Sequence, residues 1–163
     1  MALAGRYIFG SHPRRTTARI AALAIVAFVT FKWILIPVRA DGISMLPTYE
    51  SGSFTLVSRL AYSFSPPSRG DIVALRLAGP HVLYIKRIIG LPGERVSIDR
   101  GMVSIDGRPL AEPYVRHRAP WHVPEVRLGP DEYYLIGDNR GMPQDEHDFG
   151  RAPRDRIIGK ALF

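Results

Sequence analysis

Hydrophobic positions divide the chain into one long apolar run and a longer region of short, interrupted segments. The run covers residues 20–38 and contains one charged residue, Lys32. About 20 apolar residues at about 1.5 Å each cross a hydrocarbon core of about 30 Å, so we predict a transmembrane helix that Pro37 ends. A cleaved signal peptide and a buried helix of a soluble protein are the alternatives. The signal peptide fits less well, because its apolar core is usually about 7–15 residues long and small residues follow it.

From residue 53 the pattern changes to short segments of β-branched and aromatic residues separated by turn residues. Such segments predict β-strands, and they lie at residues 54–58, 71–77, 81–89, 95–99, 102–106, 132–136 and 157–163. The pair Arg100-Gly101, between two copies of Val-Ser-Ile-Asp, predicts a hairpin turn. Residues 111–130 are rich in Pro, Arg and His and are interpreted as a surface loop. We therefore expect a mainly β body over residues 39–163, built as an antiparallel sheet or a partly open barrel.

Positive charge is concentrated in the N-terminal part of the chain. The formal net charge is +7, and residues 1–40 carry six Lys or Arg and no acid, which leaves +1 for the remainder. The body therefore shows no charge excess of the kind that binds nucleic acid, and we predict no nucleic-acid partner. Residues 1–19 are interpreted as a basic tail. Because Arg14, Arg15 and Arg19 precede the apolar run, the positive-inside rule predicts a cytoplasmic N-terminus and a body on the periplasmic or outer face of a bacterial inner membrane.

Two residues are candidates for nucleophilic chemistry. Ser44 follows the apolar run, and a serine hydroxyl attacks a carbonyl only when a nearby base takes its proton. Lys86 interrupts an apolar strand segment, where burial favours the neutral amine that general-base chemistry requires. Taken alone, a serine before Met-Leu-Pro is more often a turn residue, and a strand lysine more often points to water.

Histidine bases and metal sites are weaker candidates. His81 is the least implausible histidine base; the other histidines are His12, His117, His122 and His147. Residues 145–148 read Asp-Glu-His-Asp, but consecutive residues rarely point at one centre and a solvated acidic turn is commoner. The chain has no cysteine, which excludes disulfides and thiolate zinc sites. We therefore predict no metal and no cofactor.

Four blocks of the sequence resemble the type I signal peptidases of the serine–lysine class. They are Gly-Ile-Ser-Met-Leu-Pro-Thr at 42–48, Arg-Gly-Asp-Ile-Val at 69–73, Tyr-Ile-Lys-Arg-Ile-Ile-Gly-Leu-Pro-Gly-Glu at 84–94, and Gly-Asp-Asn-Arg at 137–140 with Gly150. Glu-Pro-Tyr at 112–114 is a weaker fifth. The blocks occur in the order of the family and together span nearly all of residues 41–163.

The resemblance implies a function and a site. Ser44 would be the acylated nucleophile and Lys86 the general base, with Asp138 and Asn139 in support. The chain would be a membrane-anchored, β-rich endopeptidase that cuts secretory pre-proteins after an Ala-x-Ala-like site. Its partners would then be signal-peptide-bearing pre-proteins and the lipid bilayer, and we expect a monomer.

Three positions depart from the family pattern. Some members carry a serine two residues before the nucleophile that helps bind the oxyanion; here Gly42 takes that place, and backbone N–H groups, including that of Ser44, are expected to replace it. Family members commonly read Ser-x-Asp-Ser-Arg after the Gly-Asp-Asn-Arg block. Asp145 is retained as a supporting residue, but Pro143 replaces the serine expected to hydrogen-bond the lysine, and His147 replaces the arginine. Two alternatives stay open: a specialised peptidase for a dedicated substrate such as a conjugative pilin, and a catalytically silent membrane-tethered module that binds signal peptides.

Overall fold

An N-terminal helix forms a unit separate from the rest of the chain. The computed structural model describes residues 13–76 and 83–162, and its two compact units divide after Ile36. Helix α1 covers Pro13–Val29 and continues as a π-helical turn over Thr30–Ile34. The helical segment therefore begins before residue 20 and ends before Pro37. Its 21 residues Arg14–Ile34 are long and apolar enough to cross a membrane, and none of the apolar window is buried within the structure.

The second unit is built mainly from two sheets. The strands are β1 Leu35–Ala40, β2 Ser53–Ser58, β3 Ile72–Leu75, β4 Tyr84–Gly90, β5 Arg95–Asp99, β6 Met102–Ile105, β7 Arg108–Pro109, β8 Val123–Arg127, β9 Glu132–Ile136, β10 Gly150–Pro153 and β11 Ile157–Ala161. The larger sheet has the order β1-β2-β11-β3-β4-β9-β10 and the smaller one β7-β6-β5-β8. From β2 to β10 along the larger sheet, each strand pairs antiparallel with its neighbours. The neighbouring strands of the smaller sheet are antiparallel as well. The expected mainly β, antiparallel fold with an open sheet and one N-terminal apolar helix is confirmed.

Strand β4 lies at the centre of the body and is covered on both faces. Successive strand residues point to opposite faces, and here Ile88 packs with Val73 and Leu135 while Ile89 packs with Ile136 in a second cluster. Both isoleucines are fully buried. Lys86 is on this strand, so its side chain cannot turn to water on either face.

Residues 111–130 differ from the sequence interpretation, while the hairpin turn predicted at residues 100–101 agrees with it. Residues 111–130 are not a surface loop, because they contain β8, which pairs with β5, and they bury Trp121 in the core. The hairpin turn at Arg100-Gly101 is present, and both residues have positive φ, as its type requires. His12, His81 and part of the strand segments predicted at 71–77 and 81–89 lie outside the described residues.

Candidate active site

Lys86 is a buried lysine on the central strand. Its residue exposure is 3 %, and it lines a cleft of about 40 Å³ together with Leu75, Leu135, Phe149 and Ala152, among others. Burial lowers the pKa of Lys86 from 10.5 to about 8, and the negative charge of Asp148 opposes that change. A substantial fraction of this amine is therefore neutral at mildly alkaline pH, which is the state that accepts a proton.

Ser44 lies in the segment between β1 and β2, and the turn after β9 fixes that segment. The backbone N–H of Asn139 donates to the carbonyl oxygen of Ser44 at 3.0 Å. The side-chain amide of Asn139 donates to the carbonyl oxygen of Ile43, also at 3.0 Å. On the other side of the segment, the buried Met45 and Tyr49 pack in one cluster with Ile85 of β4. The backbone around Ser44 is thus held from two directions.

A buried ion pair ties the same turn to β4. The guanidinium of Arg87 donates to both carboxylate oxygens of Asp138, at 2.8 and 2.6 Å, and to the carbonyl oxygen of Gly70 at 2.7 Å. The hydroxyl of Thr48 donates to the same carboxylate at 2.5 Å. Asp138 therefore connects the strand that carries the lysine to the segment that carries the serine.

Gly137 is the point where the candidate residues converge. Strand β4 pairs with β9 so that Arg87 lies opposite Ile136 and Ile88 opposite Leu135. Continuing this register by one residue places Gly137 opposite Lys86, and cross-strand neighbours point to the same face. A Cβ on Gly137 would overlap the carbonyl oxygen of Ser44 and would lie 2.7 Å from Nε2 of His147. The segment with Ser44 and the ring of His147 thus meet beside Gly137, the residue that follows β9.

His147 is buried beside these residues. It is 4 % exposed, and its ring packs edge-on against Trp121 with centroids 4.9 Å apart. Burial, and after it the charge of Lys86, lower the pKa of His147 to about 4, against the opposing effect of the backbone carbonyl oxygens of Asp148 and Ser44. The imidazole is therefore neutral at pH 7. Sequence reasoning named His147 as a departure from the family pattern but did not place it at the site.

Residues 14–163 match the family model described as signal peptidase, peptidase S26. The chain belongs to this signal peptidase family. It is 39 % identical over 128 residues to the probable signal peptidase I-1 of Synechocystis, which covers 74 % of this chain and 65 % of that protein. It is 33 % identical to the signal peptidase I of Bacillus caldolyticus over 76 % of this chain and 75 % of that protein.

The chain spans less than two thirds of the length of two relatives. The match to the signal peptidase I of Leptolyngbya laminosa covers 63 % of that protein, and the match to the Synechocystis protein covers 65 %. A crystal structure of a signal peptidase I from Enterococcus faecalis aligns with a TM-score of 0.46 at 26 % identity, over 61 % of this chain and 98 % of that one. That overall likeness is too low to carry an argument about individual residues.

The other supporting residues expected for a signal peptidase occupy different positions relative to the site. Gly42 has φ +99°, which favours glycine, and its N–H donates to Oγ of Ser51 at 3.1 Å. Asp145 is exposed in the short turn Gln144–Glu146, and its carboxylate makes no hydrogen bond or ion pair within residues 13–76 and 83–162. Pro143, just before it, is exposed as well. Asp145 therefore takes no part in the hydrogen bonds by which Asp138 and Asn139 hold the segment of Ser44.

A second buried ion pair supports Gly137 and was missed from the sequence. The guanidinium of Arg140 contacts the carboxylate of Glu112 at 2.5 Å, with both side chains essentially buried, and its Nε donates to the carbonyl oxygen of Gly137 at 2.9 Å. The two partners lie in the Gly-Asp-Asn-Arg and Glu-Pro-Tyr blocks, so a signal for them was present. Within the described part of the chain, no group of three or more His, Asp or Glu side chains is placed to hold a metal ion.

Proposed function

We propose that this chain is a membrane-anchored serine endopeptidase that removes signal peptides from secreted pre-proteins after small-x-small, Ala-x-Ala-like sites. The observation that carries the proposal is Lys86, a lysine buried on a central strand with a pKa lowered to about 8, facing the side where the segment of Ser44 is held. Membership of the signal peptidase family supports the same reaction class.

The reaction assigns one role to each of the two residues. The Oγ of Ser44 attacks the scissile carbonyl carbon as the neutral amine of Lys86 takes the hydroxyl proton. The resulting oxyanion is stabilised by backbone N–H groups, including that of Ser44. Collapse expels the amine of the mature chain, to which Lys86 returns the proton. Water, deprotonated by Lys86, then hydrolyses the acyl-enzyme and releases the signal peptide.

The N-terminal helix supports the anchoring part of the proposal. Its apolar surface is exposed around the segment Arg14–Ile34, as expected for a helix surrounded by lipid. With Arg14, Arg15 and Arg19 at its start, the positive-inside rule favours a cytoplasmic N-terminus and a catalytic body on the periplasmic or outer face. Anchoring would hold the body where signal peptides emerge from the bilayer and raise their effective concentration. We propose a single-pass, monomeric enzyme without a nucleic-acid partner.

The test is cleavage of a pre-protein with an Ala-x-Ala junction by the full chain purified in detergent. We expect Ser44→Ala and Lys86→Met each to abolish cleavage, because one removes the nucleophile and the other the base. Ser104→Ala and Lys160→Met are the matched controls, since Ser104 lies in the smaller sheet and Lys160 is a partly exposed lysine paired with Asp71. Both controls should cleave normally.

The pH dependence sharpens the same experiment. Because the base acts when neutral, the rate should rise with pH through about 8, the pKa of Lys86. Full activity of Ser44→Ala or Lys86→Met would overturn the mechanism, as would a rate that is constant from pH 6 to 10. A module that binds signal peptides without cutting them would show no cleavage and no labelling of Ser44 by a serine-reactive probe.

A further inference from the structure

A second cavity borders the segment of Ser44, and the mechanism above does not use it. Its volume is about 240 Å³, below the roughly 300 Å³ at which pockets for whole small molecules begin, so it suits one or two amino-acid side chains. The cavity is lined by Leu46, Pro47, Arg116, His117, Asp138 and Asn139. Because Leu46 and Pro47 follow Ser44 closely along the chain, a peptide bound at the serine passes near this cavity.

Hydrogen bonds hold the walls of this cavity in place. The segment of Ser44 forms one wall and is fixed by two hydrogen bonds from Asn139. Residues 116–117 form another wall, and just after them the N–H of Ala119 donates to the carbonyl oxygen of Arg140 at 2.8 Å. Both walls are therefore tied to the turn after β9, and the cavity is a fixed feature of the fold.

The unmatched charge at this cavity is positive. The carboxylate of Asp138 is buried and accepts two hydrogen bonds from Arg87 and one from Thr48, so its charge is already paired. Arg116 is exposed, and its guanidinium makes no ion pair or hydrogen bond in the part of the chain that the structure describes. His117, exposed beside it, brings no negative charge. A side-chain carboxylate is therefore the partner that complements the cavity.

The two sides of the proposed cleavage junction offer different side chains. On the signal side, the first and third residues before the scissile bond are small and uncharged, and an apolar stretch precedes them. The mature side is the beginning of a secreted protein, in which Asp and Glu are ordinary surface residues. A cationic cavity of this volume therefore matches a side chain of the mature side.

We propose that this cavity is a subsite for the mature side of the junction, in which Arg116 pairs with an Asp or Glu side chain within the first three residues after the scissile bond. This inference rests on the proposed function of Ser44 and Lys86. Arg116 would determine specificity by contacting the substrate, and it takes no part in breaking the bond. Because Arg116 is exposed, its pairing is worth up to about fivefold in kcat/KM, the contribution of a solvated ion pair.

The experiment measures kcat/KM of the full chain in detergent with a matched series of pre-proteins. They share an Ala-x-Ala junction and carry Glu, Gln or Lys at the x position or at the first, second or third residue of the mature chain. At one of the three mature positions, Glu should be cleaved about 3- to 5-fold faster than Gln, and Lys more slowly than Gln. Arg116→Gln should abolish this preference and Arg116→Glu should reverse it. Arg108→Glu, the same change of charge at an exposed arginine of β7, is the control and should keep it.

The outcomes separate this inference from the function on which it rests. Equal cleavage of the Glu and Lys substrates at every mature position would overturn the subsite, as would a preference that Arg116→Glu leaves unchanged. A charge preference confined to the x position would assign the cavity to the signal side and overturn the inference as well. An equal effect of Arg108→Glu would reveal only the net charge of the protein. Activity that survives Ser44→Ala would instead refute the proposed function, whatever the preference of Arg116.

Discussion

Replacing Lys86 with methionine should remove activity and yet stabilise the protein. Lys86 is 3 % exposed, and burial lowers its pKa from 10.5 to about 8. Each pKa unit corresponds to about 1.4 kcal/mol, so keeping this group charged in the folded state costs about 3 kcal/mol. Methionine fills a similar volume without a charge, so Lys86→Met should raise the free energy of unfolding by up to about 3 kcal/mol.

The sign of the effect depends on pH in a defined way. Below pH 8 the lysine is protonated in both the folded and the unfolded chain, and the full penalty is present. Between pH 8 and 10.5 the unfolded chain keeps a proton that the folded chain has lost, so the unmodified protein becomes more stable as pH rises. Above pH 10.5 the amine is neutral in both states. The advantage of Lys86→Met should therefore be full near pH 7 and disappear above pH 10.5.

The assay is urea unfolding of the full chain in detergent, followed by the fluorescence of Trp121. The chain has two tryptophans, so a Trp33→Phe background makes the buried Trp121 the reporter of the β-rich body. Lys160→Met serves as the control, because Lys160 is 42 % exposed and its ion pair should contribute less than about 1 kcal/mol. The reasoning fails if Lys86→Met gains no stability at pH 7, if its gain is equal at pH 7 and above pH 10.5, or if Lys160→Met gains as much.

Three further predictions concern residues around the lysine. Gly137→Ala should lower kcat by about 10-fold or more, because the added Cβ overlaps the backbone of Ser44. Gly129→Ala is the control and should keep kcat, because its Cβ meets a flexible side chain at 3.3 Å; equal kcat values would contradict the geometry. Asp138→Asn should cost about 3 kcal/mol by leaving Arg87 without its charged partner, against less than about 1 kcal/mol for the exposed Asp106→Asn; similar urea midpoints would contradict it. Lowering the pH from 6.5 to 4 should cost up to about 3 kcal/mol through His147, because the unfolded chain takes up the proton first; an equal loss in His147→Gln would assign the effect elsewhere.

Local patterns were sufficient to predict most of the fold. Alternating β-branched segments predicted β5 and β6 of the smaller sheet but not β7 or β8, and Arg100-Gly101 has the two positive φ angles of the predicted hairpin. The interpretation of residues 111–130 as a loop was wrong, because Pro, Arg and His are typical of loops while the burial of this region depends on distant partners. The indole of Trp121 donates to the carbonyl of Met142 at 2.8 Å, and Glu112 is bound by Arg140. Neither contact leaves a periodic pattern in the sequence.

The sequence by itself determined the family, the long apolar run and the two residues proposed to carry the chemistry, because each of these lies within a short contiguous block. The tertiary structure decided what surrounds them. Lys86 is buried because both faces of β4 are covered, and the ring of His147 lies beside Gly137, the residue that follows β9. Burial and register join segments far apart in the chain, and the pKa of Lys86 follows from them. The sequence could therefore indicate a lysine, but the burial that lowers its pKa exists only in the folded chain.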